Sequence, residues 1–352
     1  MRDLDDRDQQ LLNLLQADFP VTSAPFAVLA EQLGGETTEA DVIARIGRLR
    51  EARVIRQISA IFDTRSLGYS STLVAMRFEP DRLERGAAII NQHPGVSHNY
   101  KRNHEFNLWF TLATPPGSDI DRTLQALHEL SGAATTRKLQ TIKLFKIGVK
   151  LDMTGTKDVT RQEDPDYTGI QRDFALQSPL TDLDVRVIRA VQDDLPLVPR
   201  PFEACAATQQ LTESELFEGM ADLKRRGHLR RVAAILHHRR AGFAANAMAV
   251  FAVPEDRAEE LGRRMAEFAS VSHCYQRPVY PDWKYNVFAM IHGRKVGDCE
   301  KVVEAIKQAT GLDDYAVLYS TKEYNKTRVR YFTAELEEWE AAHLPGAAAP
   351  VA

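Results

Sequence analysis

The sequence is short of cysteine and has no long apolar run. Its only cysteines are Cys205, Cys274 and Cys299, and none of them has CxxC spacing. This excludes a disulfide framework, a zinc knuckle and a four-thiolate iron–sulfur cluster. No apolar run approaches the roughly 20 residues that cross a bilayer. The opening MRDLDDRDQQ lacks the basic and apolar regions of a secretory signal, so we expect a cytoplasmic protein with no membrane contact.

The sequence also lacks a glycine-rich phosphate loop and an excess of positive charge. No GxGxxG or Walker-type spacing follows a strand pattern. The formal net charge of −4 argues against bulk electrostatic capture of nucleic acid. A composition of 44% hydrophobic and 27% charged residues is typical of globular proteins. A chain of 352 residues is long enough for roughly two to four domains.

What the sequence does contain is an internal duplication. Pro20 and Pro196 lie 176 residues apart, and the segments around them match. Further on, VSHNYKR (96–102) matches VSHCYQR (271–277). The matches keep their order along the chain, which predicts two diverged copies of one module.

Each copy has the pattern of a winged helix-turn-helix followed by a small α/β module. In copy one, three short helical patterns precede an extended run from Val54 to Phe62, which predicts three helices and a strand pair. Beyond Gly68, strand and helix patterns follow the order βαββαβ, which is ferredoxin-like. We therefore predict an α+β fold with two tandem copies of a winged helix-turn-helix and a ferredoxin-like βαββαβ module.

The domain boundaries follow from the same patterns. A stretch of Gly, Thr, Asp, Gln and Pro without apolar periodicity separates the copies. We predict winged helix 1 at 1–62, ferredoxin-like module 1 at 63–153, a linker at 154–178, winged helix 2 at 179–237, ferredoxin-like module 2 at 238–335 and a tail at 336–352.

The order of these modules resembles the Lrp/AsnC group of transcription regulators, whose second module senses amino acids and drives dimerisation. Four segments resemble a narrower family more closely. HNYKRNHEFNLWF (98–110), HCYQRPVYPDWKYNVFAMIHG (273–293), KLFKIGVKLDM (143–153) and YAVLYSTKEYNKTRVRYF (315–332) are similar to the paired halves of the siroheme decarboxylases, including the fused form of heme d1 biosynthesis. This resemblance covers nearly the whole chain.

The resemblance implies an enzyme, a carboxy-lyase that removes the C12 and C18 acetate carboxyls of siroheme to give 12,18-didecarboxysiroheme. It implies that no radical-generating cluster takes part and that the iron belongs to the siroheme substrate, so that no cofactor is needed. It also implies that the fused chain supplies its own pseudo-two-fold partner and forms a homodimer.

Three histidines are the catalytic candidates. Loss of CO2 from a ring acetate leaves a methyl group that needs a proton, and imidazole, with a pKa of about 6.5, suits a general acid. His98 and His273 occupy equivalent positions in the two copies, whereas His104 belongs to copy one alone. Alternatively, His98 or His273 is an axial ligand of the substrate iron, which neutral imidazole commonly binds. The sequence leaves these roles open.

Further candidates would bind the macrocycle itself. Its rim carboxylates require cations, and its flat face requires aromatic rings. The cationic candidates are Arg56, Lys101, Arg102, Arg230, Arg231, Arg277 and Lys284, and the aromatic ones are Tyr100, Trp109, Tyr275 and Trp283. A basic wing or a strand end explains His237, His238 and His292, which are weaker candidates.

The alternative hypothesis is an Lrp/AsnC-type transcription regulator, including a heme-responsive one. Its support is the third helix of copy one, with four arginines between residues 45 and 53, and an acid-free basic stretch between residues 223 and 253. However, the third helix of copy two opens with three glutamates between residues 213 and 218, which phosphates repel. Two unlike helices also fit a palindromic site poorly. We therefore favour the enzyme and do not expect DNA binding.

Overall fold

The computed structural model describes residues 4–147, 160–162, 178–236, 245–293, 295 and 297–344. These residues form two compact units. The first contains the described residues of 4–67 and 178–236, and the second contains 68–147, 160–162 and those from 245 to 344. The first unit therefore combines the two winged helices, and the second combines the two βαββαβ modules. Most of the predicted linker, together with His237 and His238, lies outside the described residues.

Copy one follows the predicted order of elements. Its winged helix consists of α1 (Asp6–Ala17), α2 (Pro25–Leu33), α3 (Glu39–Glu51) and β1 (Ile55–Phe62). Its module consists of β2 (Ser70–Arg77), α4 (Leu83–Ile90), β3 (Val96–Arg102), β4 (Leu108–Thr114), α5 (Ile120–Ser131), β5 (Thr135–Gln140) and β6 (Lys143–Ile147). The sequence predicts a single last strand, whereas the structure divides it at residues 141–142.

Copy two repeats this order. Its winged helix consists of α6 (Asp182–Val191), α7 (Pro201–Thr208), α8 (Glu213–Arg225) and β7 (Leu229–Leu236). Its module consists of β8 (Ala245–Phe251), α9 (Ala258–Ala266), β9 (Val271–Gln276), β10 (Val287–Gly293), α10 (Asp298–Thr310) and β11 (Tyr315–Lys326), and α11 (Ala334–His343) follows. The predicted tail therefore begins within a helix, on which Leu336 and Trp339 are buried.

Each third helix begins with the same local chemistry. Thr38 before α3 and Thr212 before α8 accept a hydrogen bond from the backbone N–H three residues on. The acidic side chain at that third position, Asp41 or Glu215, accepts the threonine backbone N–H in return. Such a capping box stabilises a helix by about 1 kcal/mol because it satisfies donors that the helix leaves free. The duplication thus extends to the signals that start the helices.

The first unit pairs its two copies through their strands. β1 and β7 form an antiparallel sheet in which Ile58 lies opposite Ala234. The prediction of a strand pair within each copy is therefore wrong for the described residues, because the pair forms between the copies. The reason is physical: each copy contributes one strand, and its backbone hydrogen-bonding groups need a partner strand.

The second unit is built on a single sheet. Among the described residues its strand order is β5-β2-β4-β3-β11-β8-β10-β9-β6, so each copy keeps the ferredoxin-like order. The copies also exchange edges. β11 pairs with β8 as far as Tyr319 and with β3 from Ser320 onward, while β6 pairs with β9. Because only residues 141–142 separate β5 from β6, the two ends of the sheet are joined and the sheet curls.

The two faces of this sheet have different cores. The helices cover one face, with α4 and α5 over copy one and α9 and α10 over copy two. The other face holds a core shared by both copies, to which Trp109, Met248, Trp283 and Leu318 contribute. We call this second face the inner face. No helix in the described part of the chain is long and apolar enough to cross a membrane.

Candidate active site

β3 and β9 present the same three side chains to the inner face. Side chains alternate along a strand. Asn99 donates to Ala87 on α4, and the Cys274 thiol lies against Gly262 on α9, so their neighbours point to the opposite side of the sheet. We call the inward-facing residues the His-Tyr-Arg rows: His98, Tyr100 and Arg102 in copy one, and His273, Tyr275 and Arg277, which directly follows β9, in copy two.

The two rows have similar internal geometry. The histidine and tyrosine ring centroids are 6.3 Å apart in copy one and 6.1 Å apart in copy two. The guanidinium carbon lies 5.9 Å from the tyrosine centroid in copy one and 4.6 Å from it in copy two. Each row is therefore a chain of rings that ends in a cation, held within cation–π distance.

Both row arginines are buried and reach the other copy. Nη1 of Arg102 donates to the carbonyl oxygen of Leu318 on β11 at 2.8 Å. Nη1 of Arg277 likewise donates to the carbonyl oxygen of Leu139 on β5. Arg102 is 6% exposed and Arg277 is 8% exposed. The two arginines therefore tie each row to a strand of the opposite copy.

Arg102 has an unbalanced charge. Among the described residues no carboxylate pairs with its guanidinium, and its buried Nε has no hydrogen-bond partner. Burial lowers the pKa of Arg102 to about 10, an effect that the neighbouring Tyr100 opposes. The side chain remains a cation at neutral pH, and it lies where an anionic ligand group would offset the cost of burying it.

His104 lies in the loop between β3 and β4, against the longer loop that joins β9 to β10 in copy two. Its ring centroid is 5.3 Å from that of Trp283, in an edge-on contact. Its Nδ1 accepts the backbone N–H of Phe106 at 3.1 Å, which places the proton of the neutral ring on Nε2. Burial lowers the pKa of His104, against the raising effect of Glu105. His104 is therefore a neutral donor at neutral pH.

The two candidate tryptophans meet in the inner-face core. The ring centroids of Trp109 and Trp283 are 5.2 Å apart, and the side chains are 1% and 3% exposed. Their indole N–H groups donate to the carbonyl oxygens of Phe106 and Tyr285. Both are packed core residues with satisfied N–H groups.

The candidate lysines face away from the rows. Lys101 has the same strand parity as Asn99 and so lies on the helix side of β3, near Glu84 of α4. Lys284 is largely exposed and its Nζ lies 2.8 Å from an Asp314 oxygen, an ion pair that raises the pKa of Lys284.

Three candidate arginines belong to the first unit. Arg56 lies on β1, and Arg230 and Arg231 lie on β7. Nη2 of Arg230 donates to the carbonyl oxygen of Phe62 at 3.1 Å, which links the two winged-helix strands. These arginines are thus part of the β1–β7 pairing rather than of the rows.

The arginines of the third helix in copy one are engaged in ion pairs. Nη1 of Arg45 lies 2.8 Å from Asp5 and 2.7 Å from Asp8. Nη2 of Arg50 lies 2.6 Å from Asp194 of copy two. Their charges are therefore partly neutralised within the protein, which weakens the case for a phosphate-binding helix.

A serine precedes each row histidine, and sequence reasoning missed both. The Ser97 Oγ lies 3.0 Å from Nδ1 of His98, and the Ser272 Oγ lies 2.8 Å from Nδ1 of His273. Both serines are buried. The signal was present in the sequence, because the repeated motif reads VSH in each copy.

Copy two adds a second histidine at this point. Nε2 of His292 on β10 lies 2.8 Å from the Ser272 Oγ, and burial lowers the pKa of His292 to about 4. Copy one has Ala113 in the equivalent place: Ala113 donates its backbone N–H to Gly95, as His292 does to Ser270. His292, which the sequence explains by its place at a strand end, is therefore a neutral residue in contact with Ser272, the serine next to the row histidine.

Fold and site together define a class: a duplicated AsnC-like ligand-binding protein with histidines and buried cations on the inner face of its sheet. The family model for an AsnC-like ligand binding domain matches residues 66–146 and 240–325. The model for a siroheme decarboxylase NirDL-like HTH domain matches residues 8–56 and 184–230. Both matches occur twice, which confirms the duplication.

Known proteins narrow the class. A siroheme decarboxylase of Hydrogenobacter thermophilus is 42% identical and covers 94% of this chain and 96% of its own length. The siroheme decarboxylase NirDL subunit of Paracoccus denitrificans is 32% identical, over 91% of this chain and 95% of its own length. A crystal structure of the siroheme decarboxylase NirDL has a TM-score of 0.72 at 37% identity, covering 97% of this chain and 98% of that chain. The chain belongs to the siroheme decarboxylase family.

A second crystal structure shows a siroheme decarboxylase NirDL in complex with an iron-uroporphyrin III analogue, with a TM-score of 0.71 at 36% identity, covering 96% of this chain and 99% of that chain. These findings confirm the predicted fold class and favour the enzyme, a carboxy-lyase, over the transcription regulator.

Proposed function

We propose that this chain removes the C12 and C18 acetate carboxyls of siroheme to give 12,18-didecarboxysiroheme, a step of heme d1 biosynthesis. The observation that carries the proposal is the buried Arg102 guanidinium, which has no carboxylate partner among the described residues. A lone buried cation is costly. The rim carboxylates of a tetrapyrrole are planar anions that match its fork.

The row geometry suits the chemistry of this reaction. When CO2 leaves, the bonding electron pair passes to the conjugated macrocycle, and the remaining carbon then takes up one proton to become a methyl group. Each decarboxylation therefore consumes one proton, which an imidazole supplies and recovers from water. The half-buried His98 and His273 face the same side of the sheet as the row arginines, so an acid and an anion-binding cation lie along β3 in copy one, and along β9 and the residue that follows it in copy two.

His104 contributes differently. Its Nδ1 is occupied by the Phe106 backbone N–H, so it offers only an Nε2 proton at neutral pH. We assign it the binding of a rim carboxylate or the delivery of a proton, rather than the ligation of iron. A row histidine is the axial ligand of the iron, which enters as part of the substrate, so no resident cofactor is proposed.

We further propose that the fused chain forms a homodimer in the cytoplasm. The homodimer is supported by the resemblance to Lrp/AsnC proteins, whose second module drives dimerisation. The cytoplasmic location is supported by the three cysteines, which are buried and form no disulfide, as is usual in a reducing compartment. Sedimentation of the purified chain would test the dimer.

The decisive experiment is anaerobic incubation of the purified chain with siroheme, followed by mass analysis of the tetrapyrrole. We expect the wild type to remove two CO2 units from siroheme. Arg102→Met should convert it more slowly, and heat-denatured protein should leave it unchanged. Unchanged siroheme together with tight, sequence-specific DNA binding would overturn the proposal and favour the regulator.

A further inference from the structure

Ser272 lies at a junction of three hydrogen bonds in copy two. Its Oγ is 2.8 Å from Nδ1 of His273, 2.8 Å from Nε2 of His292 and 3.3 Å from the carbonyl oxygen of Met290. A hydroxyl group has one proton to donate and two lone pairs with which to accept. The proton positions in these three contacts are therefore linked to one another.

A single arrangement makes all three contacts hydrogen bonds. The carbonyl oxygen of Met290 has no proton, so it accepts the hydroxyl proton of Ser272. The serine oxygen then accepts from both imidazoles, which places one proton on Nε2 of the neutral His292 and one on Nδ1 of His273. A neutral His273 with its proton on Nδ1 carries its lone pair on Nε2, and a metal binds at that lone pair.

Among the described residues, copy one has no second imidazole at the row serine. Its serine contacts the row histidine in the same way, with Ser97 Oγ 3.0 Å from Nδ1 of His98. The place of His292 is taken by Ala113, whose methyl group cannot donate to the serine. The two copies therefore differ in the groups around the row serine, although the rows themselves match.

We propose that Ser272 and His292 are positioning residues that hold His273 in the tautomer able to ligate the substrate iron, which leaves His98 as the proton donor. The role of iron ligand rests on the proposed function. The tautomer, in contrast, is a property of the protein alone and is measurable without any tetrapyrrole.

The first test is the 15N spectrum of the histidine ring nitrogens in the ligand-free protein. We expect a protonated Nδ1 on His273 in the wild type and loss of that preference in Ser272→Ala and His292→Ala. His292→Gln, which keeps an N–H donor, should restore it. A wild-type His273 protonated on Nε2 would overturn the proposal.

The second test is titration with iron uroporphyrin III, followed by the absorption spectrum of the iron. His273→Ala should lose the imidazole-ligated spectrum, and Ser272→Ala and His292→Ala should weaken it, with affinity falling by about 10- to 100-fold. His292→Gln should rescue it, and the matched control Ser97→Ala should keep it. Wild-type spectra in Ser272→Ala and His273→Ala, or loss of the ligated spectrum in Ser97→Ala, contradict the assignment.

The two tests separate this inference from the proposed function. A ligated spectrum that depends on Ser272, in a protein that leaves siroheme unchanged, overturns the decarboxylase activity alone. Decarboxylation by a protein whose His273 tautomer and iron spectrum do not depend on Ser272 overturns the positioning role alone.

Discussion

The two βαββαβ modules share their rows but differ in what surrounds them. Copy one adds His104 beside its row, whereas copy two adds Trp283 and the buried His292. The shared side chains are aromatic rings, a cation and an imidazole, which under the proposed function suit the flat face, a rim carboxylate and the iron of a tetrapyrrole. Of the parts that differ, Trp283 packs in the inner-face core, whereas His104 and His292 are neutral imidazoles in hydrogen-bond contact with Phe106 and Ser272. The comparison teaches that the two copies share their rows, and that under the proposed function the histidines outside the rows make the two halves unequal.

The largest expected effect is on turnover, and it tests whether His98 and His273 have different roles. We expect His98→Ala to reduce siroheme decarboxylation by about 100- to 10,000-fold, the usual contribution of a general acid, while leaving the iron spectrum unchanged. His273→Ala should change that spectrum instead. Rates and spectra of both variants, beside the distant control His128→Ala, measure the difference. Identical behaviour of the two row variants would mean that the copies are equivalent.

The next effect is on stability in acid, to which a buried neutral histidine of each module contributes, His93 in copy one and His292 in copy two. His93 is buried in copy one against Trp339 of α11, and burial lowers its pKa from 6.5 to about 3, with His343 adding to the shift. A histidine that is neutral only when folded stabilises fully above pH 6.5, and this contribution is lost as the pH falls toward 3.

We therefore expect the free energy of unfolding to fall by up to about 1.4 kcal/mol per pH unit in this window on account of His93. His93→Gln should flatten the dependence, whereas His128→Gln should not. Thermal melts between about pH 4 and about pH 7 give the comparison. An unchanged slope in His93→Gln would show that another group controls acid stability.

A smaller effect concerns the buried cations. Arg102→Met should lower the affinity for iron uroporphyrin III by roughly 1.5 to 3 kcal/mol, the worth of a hydrogen bond to a charged group. It should not lower the free energy of unfolding, because an unpaired buried charge is itself costly.

Calorimetric titration and thermal melts of Arg102→Met, Arg277→Met and the exposed control Arg85→Met would show whether both rows bind carboxylates. Loss of stability without loss of affinity in Arg102→Met would make this arginine a structural link to Leu318 only.

The smallest expected effect is at Lys284. Its ion pair with Asp314 is largely exposed, and such pairs add little to stability. Lys284→Ala should leave the melting midpoint and the affinity for iron uroporphyrin III unchanged within error. A clear loss of affinity in the titration would restore Lys284 as a substrate-binding residue.

Local patterns predicted the elements but not their partners. Apolar periodicity and a threonine cap mark where α3 and α8 begin, because these signals act within one turn of chain. The pairing of β1 with β7 depends on a strand far away in sequence, which no local pattern reports. Nor does a local pattern mark the second half of β11, which pairs with β3 as far as Lys326, because this half is polar and partly exposed.

The site shows the same division. The repeated motif identified His98 and His273, and strand parity explains why their rows share a face. The motif did not show that Lys101 faces the helices, because that depends on the side of β3 on which Asn99 lies, and only the structure shows this side. Nor did it show the contact between Ser272 and His292, which lie on paired strands and meet only when the bulge between Ile291 and Met290 sets the register.

Because β11 of copy two covers the edge of β3 in copy one, the sheet cannot be completed until copy two has been synthesised. β3 is complete once Arg102 has been made, yet the strand that covers its edge begins at Ser320, 218 residues later (320 less 102). At the usual rates of protein synthesis that interval lasts roughly 10 to 40 s. Throughout it, the first module leaves the ribosome with an open strand edge, the kind of surface that chaperones protect and that aggregates recruit. Joining the copies in one chain ensures that the missing strand always arrives.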